Sequence, residues 1–227
     1  MPIPTKTVLI FGGSFDPVHS GHVEMVKHVA QRFSVDEVRL IPAGQPWQKA
    51  GLKASPAQRS DMLRLAFEGE LSIPVQIDQQ EVERAEQQIP SYTVDTLEQL
   101  RQYYGETTAL ILLIGADQFR NLTTWKNWQQ LFQLAHIVAA ARPGYSLQLD
   151  ELPSEFVSLW GHAQNELDIA RFKQCCFGKT WLETGLAWDI SATRIRASLQ
   201  QQGQSKESIA LIPRKVLDYL QSHSIYN

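Results

Sequence analysis

Short apolar runs in this sequence alternate with stretches in which apolar residues recur every three or four positions. The run Val8–Phe11 is typical of a strand, and the apolar residues from Val23 to Phe33 follow it at helical spacing. Later runs predict further strands at Val38–Ile41, Val75–Asp78, Leu110–Ile114, Ile137–Ala141 and Leu186–Ile190. Strands that alternate with helices in this way form parallel βαβ units, so the chain is predicted to fold as an α/β protein.

The domain organisation follows from length and from one irregular segment. A chain of 227 residues fits a single α/β domain over 1–227 with an insertion better than it fits two domains. We place the insertion at about 143–181, where polarity is mixed and no period is clear, and a helical part at about 191–227. Helices are predicted from near Pro56, after Ser91 as the N-cap, at 193–201, and at 213–221.

Composition excludes several classes of protein. The net charge of −3 argues against a broad nucleic-acid-binding face, although a small polyanion needs only a few local cations. The apolar run Ala109–Ile114 is far shorter than the roughly 18 residues of a membrane helix, and Met1–Lys6 has no signal-peptide pattern. The adjacent cysteines Cys175 and Cys176 make a poor staple and a poor zinc site, so we expect reduced thiols and a cytoplasmic protein.

The most informative segment is Ile10–His22, which lies between the first strand and the first helix. Gly12 and Gly13 allow a ligand to approach the backbone closely, and unpaired N–H groups at a helix start favour an anion. His19 and His22 are three residues apart, so both imidazoles can face one phosphate chain. The alternative is an ordinary loop in which one histidine packs and the other is solvated.

A second segment, Ile190–Arg196, has the character of another anion site. Ser191 and Thr193 suit a helix N-cap, and their hydroxyls lie beside free N–H groups. Arg194 and Arg196 place guanidinium groups, whose forked donors suit phosphate, close to that helix start. The alternative is a serine-capped helix with two solvated arginines.

Together these segments resemble a known family. The pattern Gly-Gly-Ser-Phe-Asp-Pro-Val-His-Ser-Gly-His is similar to the HxGH motif of nucleotidyltransferases, and Ile190–Arg196 resembles a segment of pyridine-nucleotide adenylyltransferases. Pro90–Leu97, together with Ile114–Asp117 and Trp125, resembles nicotinate-nucleotide adenylyltransferases. The resemblance implies a Rossmann-like, doubly wound, mainly parallel sheet with helices on both faces.

The resemblance also implies two groups of site residues. His19, His22 and Arg196 would be catalytic, and the ATP site would comprise them together with Gly12, Gly13, Ser14, Phe15, Ser191 and Thr193. The nicotinate-nucleotide site would comprise Lys49, Thr93, Asp117, Trp125 and Arg142.

In the family, the aromatic residue stacks on the pyridine ring, the threonine helps to read the carboxylate, and the aspartate contacts ribose. Without the resemblance, Trp125 would be a packing residue and Asp117 a helix cap. Lys49 follows Gln48 where the family often has His-Lys, so a solvated loop lysine remains an alternative, as does a surface role for Arg142.

The implied reaction transfers AMP from ATP to nicotinate mononucleotide, which gives deamido-NAD and pyrophosphate without a covalent enzyme intermediate. Mg²⁺ would be bound through the ATP phosphates rather than in a protein cage. Nicotinamide mononucleotide and phosphopantetheine remain alternative acceptors, and a non-catalytic nucleotide sensor is the alternative from another class. ATP and nicotinate mononucleotide are the expected partners, without nucleic acid or membrane, and the oligomeric state stays open.

Overall fold

The computed structural model describes residues 3–44, 52–141, 169–170, 172–184, 192–200 and 210–226. The chain divides into two compact units, each assembled from several separate segments. The first unit contains residues 1–11, 28–39 and 92–187, and the second contains residues 12–27, 40–91 and 188–227.

Among the described residues, six strands form one sheet. In chain order they are β1 (Lys6–Gly13), β2 (Glu37–Pro42), β3 (Val75–Ile77), β4 (Thr108–Gly115), β5 (His136–Ala140) and β6 (Thr180–Glu183). The order across the sheet is β3-β2-β1-β4-β5-β6, so the direction of strand addition reverses at β1. This is the strand order of a doubly wound α/β sheet, and it confirms the predicted Rossmann-like fold class.

The register of the sheet shows why its strands are continuous apolar runs. Strands β1 and β4 pair in parallel from Lys6 opposite Thr108, and β4 and β5 pair in parallel from Ile111 opposite His136. Every residue of β4 except the last, and every residue of β5, is buried. Strands that are buried on both faces are rich in apolar side chains along their whole length, as is general in parallel sheets.

Eight α-helices have both of their bounds within the described ranges. They are α1 (Ser20–Phe33), α2 (Pro56–Phe67), α3 (Gln80–Glu86), α4 (Thr93–Tyr104), α5 (Ala116–Arg120), α6 (Trp128–Leu134), α7 (Ala192–Gln200) and α8 (Arg214–Ser222). The helix predicted near Pro56 is confirmed, and Ser55 and Gln58 form a capping box at its start. The helix predicted at 213–221 is α8, with Pro213 as its N-cap.

Two sequence predictions about elements differ from the structure. Ser91 is not an N-cap: α4 follows Tyr92, and the Ser91 hydroxyl instead donates to the Glu81 carbonyl at 3.2 Å. Strand β6 begins at Thr180, inside the segment assigned to the insertion, because Thr180 and Trp181 are buried and pair with β5. The strand predicted at Leu186–Ile190 lies outside the described residues.

The structure also answers a question about the cysteines. Cys175 and Cys176, whose exposure the sequence leaves open, are both buried in the first unit. In the part of the chain that the structure describes, no helix combines the length and apolar character needed to cross a membrane.

Candidate active site

The loop after β1 is built around a glycine and an aromatic ring. Gly12 is exposed, whereas a Cβ on Gly13 would lie 3.1 Å from carbon atoms of the Phe15 ring. Phe15 folds back over the loop with a left-handed φ of 47° and is 1% exposed. The absence of a side chain at Gly13 therefore leaves room for the Phe15 ring, and the backbone of Gly12 is exposed to solvent.

The two histidines predicted to face one ligand lie against each other. The rings of His19 and His22 are stacked, with centroids 3.6 Å apart and planes inclined by 20°. The His19 backbone N–H donates to Nδ1 of His22 at 3.2 Å, so the neutral His22 ring carries its proton on Nε2. The edge of Phe15 packs against His22, with centroids 5.2 Å apart. This packing holds the donor of His22 in one orientation at the start of α1.

Arg196 on α7 is bound to the same loop. Its Nη1 donates to the carbonyl oxygen of Asp16 at 2.6 Å, and its Nη2 donates to the hydroxyl of Thr193 at 3.2 Å. Nη1 also lies 4.0 Å from the Asp16 carboxylate. The structure thus places Arg196 and Thr193 beside the loop that precedes His19 and His22. All four residues are predicted to bind ATP.

Asp16 organises this loop, and sequence reasoning missed it. Its side chain is fully buried, and the carboxylate accepts the backbone N–H groups of Lys53 and Ala54, both at 3.0 Å, and the hydroxyl of Tyr226. These three donors balance the buried negative charge. The sequence signal for Asp16 is its position directly before Pro17 in the motif.

Arg59 on α2 is a second missed residue. Its side chain is fully buried, and its Nη1 donates to the Ser14 carbonyl at 3.0 Å. Burial lowers the pKa of the Arg59 guanidinium, while the Asp16 carboxylate opposes that effect. No local pattern on α2 distinguishes this arginine from a solvated one.

Three of the residues predicted for nicotinate-nucleotide binding, Thr93, Asp117 and Trp125, lie in the first unit. Thr93 is the first residue of α4 and is half-buried. Asp117 is exposed in the first turn of α5, where Gly115 is the N-cap and no side chain caps the helix, so the alternative role of Asp117 as a cap is wrong. A Cβ on Gly115 would lie 2.9 Å from Oδ1 of Asp117, so the glycine makes room for this carboxylate.

Trp125 follows a short 3-10 turn, Leu122–Thr124, and is half-buried. Its indole Nε1–H is buried and has no hydrogen-bond acceptor among the described residues. The next residue, Lys126, donates to both carboxylate oxygens of Asp95 at 3.1 and 3.2 Å and lies over the Tyr92 ring. This pair links the Trp125 loop to the beginning of α4, where Thr93 lies.

Lys49, Arg142 and Ser191 lie outside the described residues, and the side chain of Arg194 is likewise not described. Of the predicted residues that are described, the second unit contains Gly12 to Phe15, His19, His22, Thr193 and Arg196. The first unit contains Thr93, Asp117 and Trp125.

Across the described ranges, no three His, Cys, Asp or Glu side chains form a cluster that could hold a metal ion. The Asp16 carboxylate beside the histidine loop already accepts three hydrogen bonds from the protein. That carboxylate therefore serves to anchor the loop.

Comparisons with known proteins match most of the chain. The model of the cytidylyltransferase-like family matches residues 10–198. A relative from Herminiimonas arsenicoxydans, named probable nicotinate-nucleotide adenylyltransferase, is 40% identical over 222 residues, which cover 98% of this chain and 97% of the relative. A relative of the same name from Dechloromonas aromatica is 39% identical over 219 residues, covering 96% of each chain.

A solved structure extends the comparison to the fold. The nicotinic acid mononucleotide adenylyltransferase of Plasmodium falciparum, complexed with NaAD, superimposes with a TM-score of 0.70 over 97% of both chains. The two sequences are 17% identical, so this match shows a shared fold.

Proposed function

The chain belongs to the cytidylyltransferase-like family, and we propose that it is an enzyme that transfers AMP from ATP to nicotinate mononucleotide. The products would be deamido-NAD and pyrophosphate, which makes the reaction a step of NAD biosynthesis. Relatives of 40% and 39% identity that carry the name nicotinate-nucleotide adenylyltransferase support this acceptor.

The stacked pair of His19 and His22 is the observation that carries the proposal. Their rings lie 3.6 Å apart where the loop between β1 and α1 meets the first turn of α1, and Arg196 is hydrogen-bonded to Asp16 in that loop. The loop also contains a glycine, Gly13. Imidazole N–H groups and a guanidinium close to such a loop can together bind the oxygens of a polyphosphate. We assign the phosphates of ATP to this loop.

The reaction needs orientation and positive charge more than it needs a base. The phosphate monoester of the acceptor has a second pKa of about 6, so at neutral pH it is already a nucleophilic dianion. Its oxygen forms a bond to the α-phosphorus of ATP while the bond from that phosphorus to the bridging oxygen breaks, and pyrophosphate leaves with the electron pair. We propose that His19, His22 and Arg196 balance the negative charge that develops on these oxygens.

Mg²⁺ fits this site as part of the incoming nucleotide. Mg²⁺ commonly keeps several waters and binds through substrate phosphates, where it neutralises charge. On the protein side, Asp16 keeps its carboxylate for the loop, and His19, His22 and Arg196 offer donors suited to phosphate oxygens.

For the acceptor, we propose that Trp125 stacks on the pyridine ring and that Thr93 contributes to recognition of the carboxylate. The Lys126–Asp95 pair, which joins the loop of Trp125 to the start of α4, supports a shared role for these two residues. We assign Asp117 to the ribose hydroxyls, and Lys49 and Arg142 stay predicted contacts of the same nucleotide.

Release of pyrophosphate tests the proposal. The purified protein is mixed with ATP, Mg²⁺ and either nicotinate or nicotinamide mononucleotide at matched concentrations. A strong preference for the acid supports the proposed acceptor, whereas equal use of both contradicts the assigned carboxylate recognition. If pyrophosphate is released only when phosphopantetheine is offered as the acceptor, phosphopantetheine is the acceptor. If the protein binds ATP and releases no pyrophosphate with any acceptor, it is a nucleotide sensor.

A further inference from the structure

Tyr226, in the segment after α8, reaches the loop between β1 and α1 (the nucleotide loop, residues 13–19). Its hydroxyl donates to Oδ1 of the fully buried Asp16, and its own side chain is 5% exposed. We propose that Tyr226 is a positioning residue for ATP, which acts through Asp16 to hold Arg196 in place for the phosphates. This inference rests on the proposed function, because it assigns a role in the same nucleotide site.

The argument begins with how the Asp16 carboxylate is shared. Oδ1 accepts from the Ala54 N–H and from the Tyr226 hydroxyl, whereas Oδ2 accepts from the Lys53 N–H. Oδ2 is also the oxygen that lies 4.0 Å from Nη1 of Arg196. The tyrosine hydroxyl thus stabilises the carboxylate on the side away from Arg196.

Arg196 is held at the backbone of Asp16 rather than at its carboxylate. The distance from Nη1 to the carbonyl oxygen is 2.6 Å, compared with 4.0 Å to Oδ2. A buried carboxylate that loses a donor attracts the nearest cation more strongly, because the local dielectric constant is low. Without the hydroxyl, we expect Asp16 to draw the guanidinium onto Oδ2 and to compete with the phosphates of ATP for it.

The state and conformation of Tyr226 fit this role. Burial, followed by the Asp16 carboxylate, raises the pKa of Tyr226 well above its usual range, so the hydroxyl remains a donor throughout neutral pH. The residue has a left-handed φ of 74°, which a bulky side chain adopts rarely and at an energetic cost. The adjacent Ile225 is buried, and its N–H donates to the Leu220 carbonyl at 3.0 Å. These contacts maintain the conformation of Tyr226.

The test removes one hydroxyl and compares it with a matched one. Tyr226→Phe keeps the ring and loses the donor to Asp16, while Tyr219→Phe removes a hydroxyl that donates to Asp61 at 3.2 Å in the same unit. Titration calorimetry gives the Kd for ATP with Mg²⁺, and steady-state kinetics give KM for each substrate. Thermal unfolding checks that both variants fold.

We expect Tyr226→Phe to raise the Kd and the KM for ATP about tenfold, the size of effect that loss of a hydrogen bond to a charged group produces. The KM for nicotinate mononucleotide should change less than about twofold, and Tyr219→Phe should match the wild type in all three constants. A purely structural role would lower the unfolding temperature of Tyr226→Phe and leave the Kd for ATP unchanged. That result would overturn the proposal, as would an equal loss of ATP affinity in Tyr219→Phe.

A double-mutant comparison tests whether the effect passes through Arg196. In an Arg196→Lys background the forked contact to Asp16 and Thr193 is gone, so adding Tyr226→Phe should weaken ATP binding by less than about twofold. A further tenfold loss would mean that the hydroxyl acts independently of Arg196, and would overturn the proposal.

Calorimetry separates this inference from the proposed reaction, because binding requires no turnover. If the wild type binds ATP and releases no pyrophosphate with any acceptor, the proposed transfer fails and the comparison of the two tyrosine variants still decides the role of Tyr226. Failure of the wild type to bind ATP would overturn both.

Discussion

His136, the first residue of β5, is expected to make the stability of the first unit depend on pH. Its ring is fully buried: the Lys179 N–H donates to Nδ1 at 3.2 Å, and Nε2 lies 2.8 Å from the Cys175 carbonyl oxygen. Since Nδ1 accepts, Nε2 carries the proton and donates, so the neutral ring is satisfied at both nitrogens. Burial lowers the pKa of His136 from 6.5 to about 4.

The sign and size of the effect follow from that pKa. In the unfolded chain His136 binds a proton near pH 6.5, whereas in the folded protein it does so only near pH 4. Between these values the unfolded state binds more protons, so acid favours unfolding, and the stability present above pH 6.5 is lost as the pH falls. A gap of this size corresponds to about 3 kcal/mol in total, of which about 2 kcal/mol is lost between pH 7 and pH 5.

The assay is urea unfolding of the wild type, His136→Gln and His223→Gln at several values between pH 8 and pH 5. The amide of glutamine does not titrate, so His136→Gln should lose about 2 kcal/mol less than the wild type between pH 7 and pH 5. His223 is exposed, and its variant should follow the wild type. Equal losses of unfolding free energy in His136→Gln and the wild type would refute the argument.

Three further substitutions test the site and the fold. His22→Ala should lower kcat about a hundredfold, the usual loss when one donor to a developing charge is removed, in a protein with an unchanged circular dichroism spectrum; wild-type turnover would remove His22 from the proposed role. Trp125→Ala should raise the KM for nicotinate mononucleotide about tenfold and leave that for ATP nearly unchanged, through loss of ring stacking; equal effects on both would mean that Trp125 supports the fold. Arg101→Met should lower the free energy of unfolding in urea by about 3 kcal/mol, because buried acceptors lose their donor; a loss below about 1 kcal/mol would contradict this. The Arg101 guanidinium donates to the carbonyl oxygens of Gly105, Thr108, Leu134 and Cys176.

The parts of the fold that sequence predicts well are those specified by neighbouring residues. The run Leu110–Ile114 falls inside β4, and the capping group around Pro56 begins α2, because local burial and local hydrogen bonds define both elements. Strand β6 has four residues of mixed polarity, and it joins the sheet by pairing with β5. Its position therefore depends on tertiary packing, which no local pattern of apolar residues reports.

The same distinction applies to the site. His19 and His22 are three residues apart on one turn of chain, so their stacking follows from local geometry. The hydrogen bond from Tyr226 to Asp16 joins residues 210 positions apart, and nothing near Tyr226 in the sequence indicates its partner. Contacts of this length are set by the complete fold.

The carbonyl groups of the nucleotide loop show how these distant contacts serve an anion site. An oxygen that points at phosphate would repel it, so a loop that binds phosphate must direct its carbonyls elsewhere. The carbonyl oxygen of Gly13 accepts the Ala43 N–H at 2.9 Å. Two guanidiniums donate to further carbonyl oxygens of the loop. Arg59 donates to that of Ser14 at 3.0 Å, and Arg196 donates to that of Asp16 at 2.6 Å. Donors from three separate segments thus bind these three carbonyl oxygens, so none of the three is left to repel a phosphate at the loop.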